Sequence, residues 1–184
     1  IQVARVGEAY GLVPYARVCP KGEAVIGFAG RVGGVIDALA PLCALLDRSS
    51  LKGVVEGSPV ETELRQAGGT GGGPFRSVCD PGSHVVGLKG RAGGAIDAIE
   101  PMCEDTSWVG LFPAPPAAPA GRPRPFKVLP TVGGGGGAPF ESRCPAGWVV
   151  VGISGRAIDL VHSLALHCVR LPGALAADSL YPSR

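Results

Sequence analysis

Asparagine is missing altogether from this chain of 184 residues, so it holds no Asn-x-Ser/Thr acceptor for N-glycosylation. Charge is sparse too: Asp, Glu, Lys and Arg make up 17% of the residues, and the formal balance is only +2. Backbone binding to nucleic acid needs clustered Lys and Arg, so the composition argues against that partner. No apolar run approaches the roughly 18 residues of a membrane-spanning helix; Ala38 to Leu46 is about the longest. No leader with a charged start and an apolar middle is visible at Ile1, so a secreted form is expected to be the processed chain. Close C-x2-C pairs, the usual spacing for zinc, are absent. No glycine run leads into Lys-Ser or Lys-Thr, which removes the P-loop. Neither a metal nor a cofactor is therefore expected.

Glycine and proline, by contrast, are abundant at 30 and 18 residues. They punctuate every segment and disfavour long helices. Disorder would require low hydrophobicity and high net charge, and a chain that is 46% apolar with little net charge has neither. The length sets an expectation of one domain over 1–184.

The six cysteines fall into three pairs, each separated by 24 positions: Cys19/Cys43, Cys79/Cys103 and Cys144/Cys168. Eight positions after the first member of each pair stands Gly27, Gly87 or Gly152, and Gly30-Arg31, Gly90-Arg91 and Gly155-Arg156 follow. The first two units agree most closely, as GRVGGVIDALAPLC and GRAGGAIDAIEPMC. The chain is thus an internal triplication, with repeats over about 7–50, 68–107 and 133–171. Two cysteines per repeat at fixed spacing point to one disulfide inside each repeat and to an oxidising compartment.

Each repeat reads as strands. In the second repeat these are Pro74 to Cys79, His84 to Arg91 and Ala95 to Cys103, with turns at Asp80-Pro81-Gly82 and Gly93-Gly94. Alternation places Val86 and Leu88 on a buried face, with Ile26 and Phe28 or Val151 and Ile153 as their counterparts. Three antiparallel units of three or four strands around one core would form a three-faced prism or a three-lobed barrel. Leu51 to Leu64 offers a further strand, and Phe112 to Pro130, with seven prolines, reads as an extended surface connector. The tail from Leu171 to Arg184 either pairs with the N-terminal strand to close the fold or is loose.

The stretch GGTGGGPFRSVCDPGSHVVGLKGRAGGAIDAIEP resembles the recurring unit of the jacalin-related lectins: a Gly-rich loop before a Phe, a strand, then G-R-x-G-x-x-x-D-A-I. The resemblance covers all three repeats, about 110 of the 184 residues. It implies an all-β chain with the β-prism I fold, three Greek-key sheets about a pseudo-threefold axis. The cysteines, which the lectins usually lack, lean toward the vitelline membrane outer layer protein, a secreted relative in fold. The segment SLALHC is similar to that protein's strand ends.

In the lectins a G-x-x-x-D loop and the Gly-rich loop of the following repeat hold the sugar together. A carboxylate accepts from adjacent hydroxyls, and a loop without side chains lets the ring come close. Carried onto this chain, the resemblance assigns one carbohydrate site to Gly33 and Asp37 with Gly69, Gly71 and Gly72. It assigns a second to Gly93 and Asp97 with Gly133, Gly134 and Gly135. The third position is degraded: His162 replaces the Asp, Asp159 restores G-x-x-x-D out of register, and Gly7 and Gly11 are sparse. Two sites are expected, on separate faces suited to cross-linking. The other role open to Asp37 and Asp97 is to cap N–H groups of the tight loop, with the glycines serving turns.

Enzyme signals are weak. Gly133-x-Gly135-x-x-Ala138 fits a dinucleotide fingerprint formally, but Pro139 and a short run to Cys144 follow it in place of a helix. His162 and His167 are five apart and point oppositely on a strand, while His84 stands alone at a strand start. Arg31, Arg91 and Arg156 recur and are expected to pair with carboxylates or line the loop, with acidic sugars or sulfate as a further use. The expected function is therefore secreted, non-catalytic binding of glycans or glycoproteins. The alternative is a structural component of an extracellular coat, matrix or cell wall, with self-assembly or other extracellular proteins as partners.

Overall fold

Val, Ile and Gly-Gly turns arrange the chain as hairpins. A computed structural model describes residues 1–8, 13–46, 61–106 and 125–171. The first of these residues form β1 (Val6–Gly7) and β2 (Val13–Val18). The long hairpin β3 (Glu23–Val32) and β4 (Ile36–Leu45) follows, then β5 (Glu61–Glu63), β6 (Ala67–Gly68) and β7 (Gly73–Val78). The same succession returns as β8 (Ser83–Ala92), β9 (Ile96–Asp105), β10 (Phe126–Val128), β11 (Val132–Gly133) and β12 (Ala138–Arg143). The hairpin β13 (Trp148–Ala157) and β14 (Val161–Arg170) completes it. Among the described residues no helix is long and apolar enough to cross a membrane.

Three antiparallel sheets result. Their orders are β5-β4-β3-β7, β10-β9-β8-β12 and β1-β14-β13-β2. In the first two, three hairpin-connected strands are joined by a fourth that returns beside the first, which is the Greek-key order. The third sheet has the same order, with the N-terminal strands serving as its third and fourth members. Gln2 and Val6 pair with His167 and Leu164 of β14. It is β14, then, that pairs with the N-terminal segment; the tail beyond Leu171 lies outside the described residues. The C-terminal end of the Pro-rich connector is strand β10, paired with Met102–Glu104 of β9, whereas 107–124 lie outside the described residues. Of the strand expected within Leu51–Leu64, only the part in β5 is described.

Sequence repeat and sheet are out of phase. The run Pro74 to Cys79, read as the first strand of the second repeat, is β7 and closes the sheet of the first hairpin. All three disulfides join the expected partners, Cys19–Cys43, Cys79–Cys103 and Cys144–Cys168. Each therefore links the end of one sheet's outer strand to the second hairpin strand of the next, and the three together stitch the sheets in a ring. All six cysteines lie in the shared core with Phe28, Leu39, Leu88, Ile99, Ile153 and Leu164.

Bulges set the phase of that core. Val25 pairs with Cys43 and Gly27 with Leu42, leaving Ile26 as an extra residue; Val86 and Val151 are the extra residues of the other hairpins. The freed carbonyls of Ile26, Val86 and Val151 accept from the N–H groups of Cys79, Cys144 and Cys19. An extra residue shifts the side-chain alternation by one. Val25/Phe28, Val85/Leu88 and Val150/Ile153 consequently face the shared core; of the bulge residues, Val86 is buried as expected, whereas Ile26 and Val151 are half-buried. The recurring glycines have a steric cause. A methyl group at Gly27 or Gly152 would overlap the outer strand's backbone, and one at Gly30, Gly90 or Gly155 the partner strand's carbonyl.

Candidate functional site

A second bulge in each hairpin positions the candidate carboxylates. Arg31 pairs with Ala38 and Val32 with Ile36, so Asp37 is the extra residue beside the Gly33-Gly34 turn. Asp97 is the extra residue of β9, between Ile96 and Ala98, in the same way. Its counterpart in the third hairpin is His162, between Val161 and Ser163 of β14. The carbonyls of these three residues accept from Gly69, Gly134 and Glu8, at 2.9, 2.9 and 3.0 Å. Each bulge thus anchors the start of the loop that follows β6, β11 or β1.

In the first site the Asp37 carboxylate lies against Gly71 and Gly72: a methyl at either position would overlap its oxygens, and one at Gly33 would sit 3.4 Å from Oδ2. Gly72 has φ of +60°, and a side chain there would also run into the Val32 carbonyl. Only glycine meets both demands. Arg31 fixes the loop from the other side, donating from Nε to the Gly71 carbonyl at 2.7 Å and from Nη2 to that of Gly72. The second site repeats this. Arg91 Nε donates to the Gly136 carbonyl at 2.7 Å and Nη2 to that of Gly137, and the Asp97 carboxylate lies against Gly136 and Gly137. Arg31 and Arg91 therefore line and clamp the loop, the second of the two roles expected for them.

Neither Asp37 nor Asp97 caps the loop. Among the described residues no donor reaches either carboxylate, and Oδ2 of Asp37 is fully buried without a partner on a residue that is 8% exposed. Around them Gly33, Gly34, Gly71, Gly72, Gly93, Gly94, Gly136 and Gly137 are all exposed. Each site is thus a carboxylate set beneath a clamped stretch of bare backbone, buried at Asp37 and half-buried at Asp97. It can accept from hydroxyl groups of a ligand that approaches close to the chain.

Solved structures that match this architecture include lectins. No family profile matches the chain, and no curated protein sequence does. Malaysian banana lectin is similar at 17% identity and a TM-score of 0.58, over 92% of this chain and 98% of that one. The mannose-binding jacalin-related lectin of Ananas comosus is similar at 16% and 0.61, over 92% and 97%. Calystegia sepium agglutinin gives 16% and 0.60, over 92% and 96%. The fold is that of the jacalin-related lectins. The chain is a β-prism with three Greek-key sheets, as the repeat motif implies.

Against that β-prism, the sequence-derived site residues divide unevenly. Gly33, Asp37, Gly71 and Gly72 come together, and so do Gly93 and Asp97, with Gly93 3.4 Å (as a methyl) from Gly137 Cα. Gly69 instead holds Asp37's carbonyl with its N–H, and its Cα faces the backbone of Asp159. Gly133 and Gly134 play the roles of Gly68 and Gly69, and nothing lies within 4 Å of a methyl at Gly135. The residues matching Gly71 and Gly72 are Gly136 and Gly137. Counting back from Pro74-Phe75 and Pro139-Phe140, or forward from Gly68 and Gly133, gives the same match.

Asp37 on β4 and Asp97 on β9 belong to different sheets, as expected, and the two candidate sites adjoin where their loops meet. A methyl at Gly134 would overlap the Gly34 carbonyl, so the hairpin turn of the first site backs the glycine loop of the second. The turn at Asp159 backs Gly69 in the same way, and His162 Nδ1 lies 2.8 Å from the Gly94 carbonyl. The three hairpin turns interlock at one end of the prism. His167 faces the Ser154 hydroxyl at 2.8 Å on the third sheet, and burial holds its pKa below the ordinary value of 6.5. His84 Nδ1 is 2.5 Å from Thr106 Oγ1, so the three histidines occupy three separate settings. The segment after Gly133–Gly137 is strand β12, which leaves no helix to bind a dinucleotide phosphate.

Proposed function

We propose that the chain binds carbohydrate outside the cell, without catalysis, through two pseudo-equivalent sites at one end of the prism. Asp37 with Gly33, Gly71 and Gly72 forms the first, and Asp97 with Gly93, Gly136 and Gly137 the second. The observation that carries this reading is the unpartnered Asp37 carboxylate, nine-tenths buried and facing a loop without side chains. A carboxylate already stripped of most of its water gains donors with little further desolvation cost. Bare backbone held rigid by Arg31 or Arg91 lets a pyranose ring lie close, so less ordering is needed on binding. The lectins of the same fold support the ligand class, one of them named as mannose binding. The three disulfides support the extracellular setting.

A glycan array followed by calorimetry tests this. Hydrogen bonds to a charged group contribute about 1.5–3 kcal/mol each, so losing two per site lowers affinity about a hundredfold or more. Asp37→Ala and Asp97→Ala are each expected to lower the stoichiometry from two to one, and the double variant to lose binding. Binding that survives in the double variant refutes these sites. A chain that ignores all glycans at millimolar concentration and assembles with itself is the coat component instead.

A further inference from the structure

The third hairpin lacks the carboxylate of the other two, and the residue in its place has taken a different partner. The His162 main chain does what those of Asp37 and Asp97 do. It is the extra residue of a bulge, and its carbonyl accepts from the N–H of Glu8 at 3.0 Å. The side chain is half-buried and leaves its own repeat for the turn of the second hairpin, where Nδ1 lies 2.8 Å from the Gly94 carbonyl. A carbonyl has no proton to give, so Nδ1 carries one and donates it.

That turn is one wall of the second site. A methyl at Gly93 would sit 3.4 Å from Gly137 Cα and 3.7 Å from Asp97 Oδ2. Gly93 and Gly94 are both exposed, and glycine loses more conformational freedom than any other residue when it is fixed. The bond from the Gly93 N–H to the Ala95 carbonyl, at 2.9 Å, closes the turn on itself. Arg91 clamps the opposite wall, Gly136 and Gly137. The turn of the first site is held differently, with the Gly34 carbonyl packed closely on the backbone of Gly134.

Resting on the carbohydrate reading above, we infer that His162 is a positioning residue of the second site. Its Nδ1–H holds the Gly93-Gly94 turn against Gly137 and Asp97 before a sugar arrives, and it touches no sugar itself. Without that bond the turn is ordered only as the ligand binds, which lowers affinity. The first site has no such dependence.

Single-site forms of the whole chain test this by calorimetry with mannotriose: Asp37→Ala keeps the second site, and Asp97→Ala keeps the first. In the second-site chain His162→Ala is expected to weaken binding about three- to tenfold, the worth of one neutral hydrogen bond. His162→Asn, whose side-chain amide nitrogen can stand where Nδ1 stands, restores most of it. In the first-site chain His162→Ala leaves affinity unchanged, which also shows that the variant folds. The amide signals of Gly93 and Gly94 in the ligand-free chain move with the Ala variant and return with the Asn one. An equal loss in both chains, no loss in the second-site chain, or a loss that Asn does not restore overturns the inference while carbohydrate binding stands. If neither parent chain binds mannotriose at millimolar concentration, the carbohydrate reading fails and the inference falls with it.

Discussion

Excess dithiothreitol is expected to unfold this protein in plain buffer at room temperature, with loss of its β-sheet circular dichroism. Each disulfide closes a loop between cysteines 24 apart. By the chain-entropy account a loop of that size stabilises by about 3–4 kcal/mol. Three together amount to about 10 kcal/mol, within the range of about 5–15 kcal/mol that is a whole domain's stability. Their placement sharpens the effect, because each joins two different sheets across the common core and no sheet is held by a bridge of its own. Replacing one pair, Cys79→Ala with Cys103→Ala, is expected to cost about 3 kcal/mol or more and to lower the urea midpoint accordingly. A reduced chain with an unchanged midpoint would show that packing alone holds the sheets together.

The second large effect is expected from a single methyl group. Gly72→Ala places a Cβ at φ of +60°, against the Val32 carbonyl and the Asp37 carboxylate. The left-handed conformation costs about 1–2 kcal/mol for a residue with Cβ, and displacing the loop adds to it. Stability should fall by about 2–4 kcal/mol, within the range for strained backbone positions. Glycan binding at the first site should be lost while the second is retained. Gly73→Ala, one residue on, has ordinary φ and nothing within 4 Å of the added methyl. It is expected to leave the thermal midpoint within about a degree or two, the scale of an exposed substitution near ±0.5 kcal/mol. Equal behaviour of the two variants in thermal melts would contradict the loop geometry.

Much of this was legible in the residues because the triplication does the work of an alignment within one chain. Both cysteines of each pair belong to the repeated pattern, which is why Cys19/Cys43 and its two counterparts are readable without coordinates. Asp37 and Asp97 stand out for the same reason, as the acidic residues common to two nearly identical stretches. The strand phase was not legible. Ile26, Val86 and Val151 look like ordinary alternating residues, and only pairing between the two strands of each hairpin reveals that each is an extra residue in a bulge. Nor could the sheet boundaries be read, since Pro74 to Cys79 belongs by sequence to the repeat that follows and by hydrogen bonding to the sheet that precedes.

Glycine runs pose a different difficulty. Five consecutive glycines from Gly133 to Gly137 carry no side chain to mark which of them faces the carboxylate, so register within the run is invisible locally. The flanking Pro139-Phe140, fixed by its pairing to Gly90 and Arg91, is what sets it. Of the two roles open to the arginines, carboxylate pairing or lining the loop, Arg31 takes the second, because a loop end made of Gly71 and Gly72 offers two adjacent carbonyls that match its fork. His162 marks where the symmetry lapses, and it turns to the neighbouring Gly94 carbonyl.

The two-site reading is tested most directly by following backbone amide signals during titration of the intact chain with mannotriose. The signals of Gly71, Gly72, Gly136 and Gly137 are expected to move together with those of Asp37 and Asp97, saturating at two equivalents, while the outer strands β2, β7 and β12 stay still. Shifts confined to any other surface, or none at millimolar sugar, would contradict it.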